Sequence, residues 1–241
     1  MIRKVSKKRT TVKDEDKAWL DYQAKASKIY DNIYYQSPNT LVNNTNMAGH
    51  REVERLLDKG RNFDIVLEVG AGTGFHLDFV KHTYQKYYLT DKSPEMLALA
   101  KKKHGIRSNL KYEIQDAANL DYPDESFDRL ISIYNLEHIP FPHQVLKEWM
   151  RVVKPGGVIS VSFPLDGGMA WRLGRFITTR RSFAKLGLNL DYIIAREHIN
   201  PGYNLVSLVN YYFPEKRERY YPFLVPSSDI NLLYSCMLRR V

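Results

Sequence analysis

The chain contains very little cysteine. Among its 241 residues, Cys236 is the single thiol. One thiol excludes a disulfide framework within the chain and a cysteine-rich zinc site. Because Cys236 lies in the apolar run 230–238, we expect it to be a small core residue, and we expect no metal site.

Long hydrophobic runs are also missing. No apolar stretch approaches the roughly 20 residues that a membrane span requires. The N-terminus is basic and lacks the apolar segment of a signal peptide, so we expect a cytoplasmic protein. With 241 residues, the chain can bury a full core, and this length is ordinary for one α/β domain.

Acidic residues are absent from one basic stretch. Residues 167–190 contain five bases and no acid, and residues 1–18 contain seven bases against three acids, which together account for the formal net charge of +9. A protein that follows a nucleic-acid backbone usually has a broad basic face, so nucleic acid is not the expected partner. The confined charge favours a local anionic partner, either a phosphorylated substrate or a lipid surface. The alternative is a solubilising tail and a solvated helix face.

Glycines are concentrated at one position that suggests a ligand site. Residues 66–76 read as an apolar strand followed by an acid and three glycines. Glycine allows a tight turn and lets a ligand approach the bare backbone. The order Glu-x-Gly-x-Gly-x-Gly differs from the Gly-x-Gly-x-x-Gly of dinucleotide sites. We therefore expect a ligand against Gly70, Gly72 and Gly74, and Asp91 closes a second apolar strand soon after.

This glycine segment resembles the cofactor loop of the class I S-adenosylmethionine-dependent methyltransferases. Four further segments resemble that family in the right order: the second strand 87–91, the adenine-binding turn 115–118, the fourth strand and its exit 126–139, and the turn 152–157 before the fifth strand. The matched segments span roughly residues 62–163. The resemblance implies methyl transfer with S-adenosyl-L-methionine as the cofactor.

The resemblance also implies roles for single residues. Asp91 would hold the ribose diol, since a carboxylate accepts two hydrogen bonds side by side. Asp116 would accept from the adenine amine, the N–H of Ala117 would donate to a ring nitrogen, and Glu68 would hold the loop and help receive the cationic methionyl end. The alternative is that these acids only cap helices. The full expected cofactor-binding set is Glu68, Gly70, Ala71, Gly72, Gly74, Asp91, Lys92, Asp116, Ala117 and Asn135.

Alternating strand and helix patterns predict an α/β fold with helices on both faces of a mostly parallel sheet. With the resemblance, this becomes a Rossmann-like seven-stranded sheet with an antiparallel last strand and a helical cap. We expect strands near 63–69, 86–91, 110–115, 128–134, 157–163, 218–224 and 230–239. We expect helices near 48–59, 74–83, 94–103, 142–153 and 203–213, with Ser93 as the cap and Pro94 as the first residue of the third.

A single methyltransferase domain, residues 1–241, is expected in five parts. These are a flexible basic tail 1–14, N-terminal lid helices 15–60, a cofactor-binding core 61–163, a substrate-cap insertion 164–200, and a closing helix and hairpin 201–241. Tyr30 and Tyr34 share a helical face in the lid region and are lid candidates, with core packing as the alternative.

The insertion contains a basic amphipathic helix. Arg172 and Arg175 occupy one side of it, opposite an apolar stripe with i, i+4, i+7, i+8 spacing. The apolar stripe consists of Met169, Leu173, Phe176 and Ile177. We expect this helix to roof the substrate pocket with its apolar stripe facing inward, and docking on a membrane surface is the alternative.

Two histidines are candidates for a general base, which is needed only when the acceptor holds its proton as a hydroxyl does. His138 follows the fourth strand, and His198 ends the insertion. A structural histidine is the alternative at each position. His76, beside the glycine loop, is expected to pack or cap.

Several acceptor classes lack their signatures. The fourth-strand exit has no Asn/Asp-Pro-Pro-aromatic tetrad for planar amino groups, Cys236 is badly placed for cytosine chemistry, and the clustered acids of metal-dependent relatives are absent. A small-molecule acceptor is therefore expected, anionic or sugar-type and phosphorylated or lipid-linked, methylated at oxygen or, second, at nitrogen. An RNA methyltransferase and a cofactor-binding protein without turnover remain alternatives, and the oligomeric state is open.

Overall fold

The computed structural model describes residues 12–25 and 40–241. Most of the predicted tail, residues 1–14, and the two predicted lid residues, Tyr30 and Tyr34, lie outside these ranges. Across the described ranges, no helix combines the length and the apolar character that crossing a membrane requires.

The described strands form one seven-stranded sheet. They are β1 (Asn62–Val69), β2 (Thr83–Asp91), β3 (Leu110–Ile114), β4 (Phe127–Ile133), β5 (Val153–Pro164), β6 (Lys216–Tyr221) and β7 (Leu233–Arg239). The order is β3-β2-β1-β4-β5-β7-β6. Strands β1 to β5 are parallel to one another, and β7 is antiparallel to its neighbours β5 and β6. The predicted fold class and the antiparallel last strand are confirmed.

Helices cover both faces of this sheet. They are α1 (Val12–Gln23), α2 (Thr40–Leu56), α3 (Pro94–His104), α4 (Pro142–Val152), α5 (Met169–Ile177), α6 (Thr179–Lys185), α7 (Leu190–Glu197) and α8 (Gly202–Tyr212). Trp149 of α4 and Leu205 of α8 belong to the core on one face, whereas Val53 of α2 belongs to the core on the other. The carboxyl ends of β1 to β5 share one edge, where open α/β sheets bind ligands.

Two local predictions hold at atomic detail. Ser93 Oγ accepts a hydrogen bond from the Met96 N–H at 3.2 Å, which caps α3 ahead of Pro94. Cys236 is fully buried in β7, and burial raises the pKa of its thiol to about 12. It is therefore a core residue with an unreactive thiol.

The predicted helix at 74–83 is wrong. A short 3₁₀ turn spans Phe75–Asp78, and the chain enters β2 at Thr83. Thr83 already pairs with Asn62 at the start of β1, so the chain must be extended by residue 83, and only a short turn forms between the glycine loop and β2. The helix predicted at 48–59 begins earlier, at Thr40, and includes the polar segment 43–46.

The insertion forms three helices, α5, α6 and α7, and the predicted orientation of its apolar stripe is wrong. The four stripe residues Met169, Leu173, Phe176 and Ile177 are 52–66% exposed. Trp171 and Gly174 take the inner side of α5 instead. The spacing of the stripe groups its residues on one side of the helix, but it does not determine which side faces the pocket.

Candidate active site

The glycine loop follows β1, and two of its glycines are required by the protein itself. Gly70 and Gly74 have φ angles of +68° and +71°. A Cβ atom on Gly70 would lie 2.4 Å from Asn135 Cγ, and one on Gly74 would lie 2.9 Å from Leu89 Cδ2. Both residues therefore allow close packing within the protein, in an angular region that disfavours side chains.

Gly72 has a different environment. Its φ angle is +54°, and a Cβ atom built on it meets no atom within 4 Å in the described part of the chain. Its N–H donates a hydrogen bond to Asp91 Oδ2 at 2.8 Å. The loop thus presents bare backbone to open space beside a carboxylate, which fits the cofactor that the sequence implies.

Asp91 is held as a ligand-binding residue would be. Its Oδ1 atom accepts a hydrogen bond from the Ser93 N–H at 2.9 Å, and its Oδ2 atom accepts from Gly72. A carboxylate has about four acceptor positions, so capacity for a diol remains. Because Ser93 caps α3, the alternative that Asp91 only caps this helix does not explain its placement.

An Asp91→Ala variant should bind S-adenosylmethionine about 1 to 3 kcal/mol more weakly, because a carboxylate that accepts two hydroxyls is lost. Isothermal titration calorimetry measures the change. Asp64→Ala is the matched control, since Asp64 is an exposed acid near the opposite end of β1. Equal affinity in both folded variants would refute the diol assignment.

The predicted adenine turn places Asp116 and Lys92 together. Lys92 Nζ lies 2.9 Å from Asp116 Oδ2, and the Ala118 N–H donates to Asp116 Oδ1 at 3.0 Å. These two contacts lower the pKa of Asp116. The Lys92 side chain is 81% exposed, so the pair is weak and a ligand can displace it. The Ala117 carbonyl accepts from Trp149 Nε1 at 2.9 Å, which fixes the turn, and its adenine contact stays a prediction.

Glu68 lies in the core. Its Oε2 atom accepts a hydrogen bond from the Tyr87 hydroxyl at 2.7 Å, and the residue is 4% exposed. Burial raises the pKa of Glu68 to about 8. The Tyr87 hydroxyl fixes one carboxylate oxygen of Glu68, and its contact with the methionyl end stays a prediction.

A buried polar cluster connects the glycine loop to α2. Glu54 Oε1 lies 2.7 Å from Arg129 Nη2 and 3.3 Å from His76 Nε2, and these side chains are at most 1% exposed. Burial alone would raise the pKa of Glu54, but His76 and Arg129 outweigh it and lower that pKa to about 2. His76 therefore packs, as expected, and helps to hold the loop on α2.

Besides the open space at the glycine loop, a pocket lies at the carboxyl edge of β4 and β5. Its walls come from α2, the β4 exit, α5, α7 and the start of β7. The lining residues with polar or aromatic groups are Tyr134, Glu137, His138, Trp171, Arg175 and His198. The apolar lining residues are Val42, Pro164, Leu190, Ile194, Leu232 and Leu233. The pocket borders the β4 exit, which also carries Asn135 and hence touches the glycine loop.

Tyr134 fixes α2 over this pocket. The Gly49 N–H donates to its hydroxyl oxygen at 3.2 Å, and the hydroxyl lies 3.0 Å from the carbonyl oxygens of Thr45 and Asn46. A Cβ atom on Gly49 would lie 2.5 Å from that hydroxyl. Gly49 thus permits the close approach by which the helix becomes a pocket wall.

His198 and Arg175 both contact the carboxylate of Asp166. His198 Nδ1 lies 3.1 Å from Asp166 Oδ2, and Arg175 Nη2 lies 2.9 Å from Asp166 Oδ1. Burial opposes ionisation of Asp166, but His198 and Arg175 outweigh it and lower its pKa. With Nδ1 facing a carboxylate, Nε2 of His198 is left as the proton acceptor.

His138 lies in the same pocket. Its ring centroid lies 4.8 Å from that of His198, so the structure brings both predicted histidines together. His138 Nδ1 lies 2.9 Å from the Glu197 carbonyl oxygen, which only accepts, so Nδ1 carries the hydrogen. Burial and the neighbouring His198 lower the pKa of His138 to about 4. A group with that pKa takes up little proton at neutral pH.

The segment 136–139 is hydrogen-bonded to Asn200 at the end of the insertion. The Asn200 side-chain amide donates to the carbonyl oxygens of Leu136 and Ile139 at 3.0 and 2.8 Å. The Asn200 N–H donates to the Glu137 carbonyl oxygen at 3.1 Å. The β4 exit and the last residues of the cap therefore form one connected unit.

Glu137, Asp166 and Tyr134 were not predicted as site residues from the sequence. Glu137 is 1% exposed, burial raises its pKa to about 7 against the influence of His198, and its Oε2 atom has no hydrogen-bond partner within residues 12–25 and 40–241. Glu137 precedes His138, and Asp166 follows β5 by two residues. An acid just past a parallel strand is the signal that could have identified both.

The chain is similar to known methyltransferases. A family model described as a methyltransferase domain matches residues 67–161. The phosphatidylethanolamine N-methyltransferase of Cereibacter sphaeroides is 35% identical over 150 residues, which cover 58% of this chain and 70% of that protein. The 2-methyl-6-phytyl-1,4-hydroquinone methyltransferase 1 of Oryza sativa subsp. japonica is 38% identical over 102 residues, covering 42% of this chain and 31% of that protein.

A solved structure has the same fold. The Thermotoga maritima protein described as an S-adenosylmethionine-dependent methyltransferase and possible histamine N-methyltransferase matches with a TM-score of 0.59 at 18% identity. The match covers 92% of this chain and 100% of that chain.

Proposed function

Because the chain belongs to the class I S-adenosylmethionine-dependent methyltransferases, we propose that it methylates a hydroxyl group on a small, lipid-linked acceptor. S-adenosylmethionine supplies an electrophilic methyl group when it is bound. The observation that carries the proposal is the pocket in which His198, backed by Asp166, lies among apolar walls beside the β4 exit.

The Asp166 and His198 pair supports oxygen as the methylated atom. A hydroxyl must lose its proton as the new bond forms, and a positioned base makes that loss easier. Asp166 orients the imidazole and stabilises its positive charge after proton transfer. The buried Oε2 atom of Glu137 has no hydrogen-bond partner among the described residues, and we expect it to hydrogen-bond the polar end of the acceptor.

The pocket walls support an acceptor with an apolar body. Two similar proteins are named for lipid acceptors, a phosphatidylethanolamine and a phytyl hydroquinone. The basic stretch 167–190 gives no support to the expected anionic acceptor inside the pocket. Arg175 is paired with Asp166, and Arg180 is paired with Asp191 on the outer side of the cap. The acceptor that we propose is therefore lipid-linked without a required anionic group in the pocket.

A His198→Gln variant should transfer methyl groups at least about 100-fold more slowly, because the base is lost. Cofactor affinity should stay unchanged, since the glycine loop is untouched. The assay incubates the protein with methyl-labelled S-adenosylmethionine and a cell extract, then measures label in the lipid, RNA and protein fractions. Mass spectrometry of the labelled product identifies the methylated atom.

His143→Gln is the matched control, because His143 lies in the first turn of α4 and outside the pocket. Label confined to RNA would refute the lipid-linked acceptor. Full activity of His198→Gln with wild-type affinity for the cofactor would refute the assigned base and leave the family assignment intact.

A further inference from the structure

The outward face of α5 combines exposed apolar side chains with positive charge. We define the outer face as the apolar stripe of α5, the arginine beside it and two arginines of α6, namely Met169, Arg172, Leu173, Phe176, Ile177, Arg180 and Arg181. Arg172 lines the same surface cleft as Met169, Leu173 and Phe176, so its predicted position opposite the stripe is wrong. Its apolar members are 52–66% exposed. Single exposed apolar side chains are ordinary, but several on one short helix form a patch that indicates an interaction site.

The cations of the outer face are arranged around its apolar part. The Arg180 guanidinium lies 5.8 Å from the centre of the Phe176 ring. Arg180 also pairs with Asp191 at 2.9 Å, where both side chains are more than half exposed, so this pair is weak. Arg172 and Arg181 are exposed, and residues 167–190 contain no acid. The surface is thus basic and apolar at once.

The same helix forms a wall of the acceptor pocket. Trp171, Gly174 and Thr178 line that pocket on the inner side of α5 and its end. The loop between β6 and β7 meets the start of the helix, where the Ala170 N–H donates to the Asp229 carbonyl oxygen at 2.7 Å. That loop carries three further exposed apolar side chains, Phe223, Leu224 and Val225. Further exposed apolar side chains thus lie on a loop that contacts the start of α5.

We propose that the outer face docks on an anionic lipid bilayer. An amphipathic helix with arginines beside aromatic and aliphatic side chains lies in a membrane interface, where its apolar side chains enter the lipid and its cations meet anionic headgroups. A second copy would place two basic faces against each other, which is unfavourable. The N-terminal residues 1–18 carry seven bases against three acids and have the same sign. An anionic membrane is the partner that complements the charge.

Docking in this orientation places the acceptor pocket one helix away from the bilayer. A lipid-linked acceptor then reaches the pocket without its apolar part crossing water. This inference goes beyond the proposed function, because vesicle binding is measured without methyl transfer, and either one can fail while the other holds.

Vesicle co-sedimentation tests the proposal with the full chain. We expect binding to phosphatidylcholine vesicles that contain phosphatidylglycerol and much weaker binding to phosphatidylcholine alone. The double variant Leu173→Gln/Phe176→Gln should bind at least about 10-fold more weakly. The double variant Arg172→Gln/Arg181→Gln should lose about 5-fold per charge, and added salt should remove the same part of the binding.

Two control variants match these changes. Ile106→Gln/Tyr211→Gln replaces apolar residues that are 84% and 80% exposed elsewhere, and Lys101→Gln/Lys102→Gln removes two exposed charges of α3. Both should bind vesicles as the wild type does, and all variants should keep wild-type affinity for S-adenosylmethionine. Vesicle binding that is absent in the wild type, or equal in the test and control variants, overturns the proposal. Self-association in sedimentation velocity that only Leu173→Gln/Phe176→Gln abolishes also overturns it, in favour of a second copy.

Discussion

A Gly72→Val variant should lose S-adenosylmethionine affinity by about three orders of magnitude, ~4 kcal/mol. The open space beside Gly72, where a Cβ atom meets nothing within 4 Å in the described residues, is the space that the cofactor would take. A branched side chain there excludes the ligand from the bare backbone. Calorimetry with purified protein measures the loss.

Backbone strain needs its own control, because Gly72 has a φ angle of +54° that disfavours valine. Gly60 has a φ angle of +73° and equally open surroundings, and it precedes β1 at the other edge of the sheet. Gly60→Val should lose about 1 to 2 kcal/mol of folding stability and keep the cofactor affinity. If Gly72→Val binds the cofactor as well as Gly60→Val does, the loop is not the cofactor site.

The second large effect concerns stability. A Glu54→Ala variant should lower the free energy of unfolding by about 3 to 5 kcal/mol, because Arg129 would remain charged and fully buried without its carboxylate. Urea unfolding measures the change. Asp124→Ala removes the 73% exposed partner of Arg151 and should cost less than about 1 kcal/mol. Similar losses in the two variants would contradict a buried ion pair beneath the loop.

The pH dependence of stability follows from the same carboxylate. Glu54 has a pKa of about 2 in the folded protein, against an ordinary value of 4.5. Its stabilising contribution is therefore complete above pH 4.5 and is lost as the pH falls toward 2. Over this range, the wild type should lose more stability than Glu54→Ala does.

The features that sequence could predict are those encoded over short stretches. The glycine loop, Asp91 at the end of β2 and Ser93 before α3 each depend on a few neighbouring residues. The mostly parallel sheet with an antiparallel last strand followed from the resemblance that these stretches carry. The failed helix at 74–83 shows the limit, because pairing with β1 decided the conformation of Thr83 and its neighbours.

Contacts between distant segments could not be read from the chain. Helical periodicity grouped Leu173 and Phe176 on one side of α5, but it could not tell that Trp171 would face the pocket. Glu54 lies in a polar helix whose pattern does not predict a buried carboxylate. Its partner Arg129 is 75 positions away in the sequence. The choice between His138 and His198 depends on Asp166, which only the folded chain brings to one of them.

The bonds from Asn200 to the β4 exit have a thermodynamic consequence. Asn135 packs against Gly70 in the cofactor loop, and the next residues, 136–139, are hydrogen-bonded to the end of the cap. The proposed cofactor site and the proposed acceptor site therefore share one short piece of backbone. If one ligand shifts that backbone, the affinity for the other ligand changes, and thermodynamic linkage makes this coupling reciprocal. If bound acceptor changes the affinity for the cofactor by some factor, bound cofactor must change the affinity for the acceptor by the same factor.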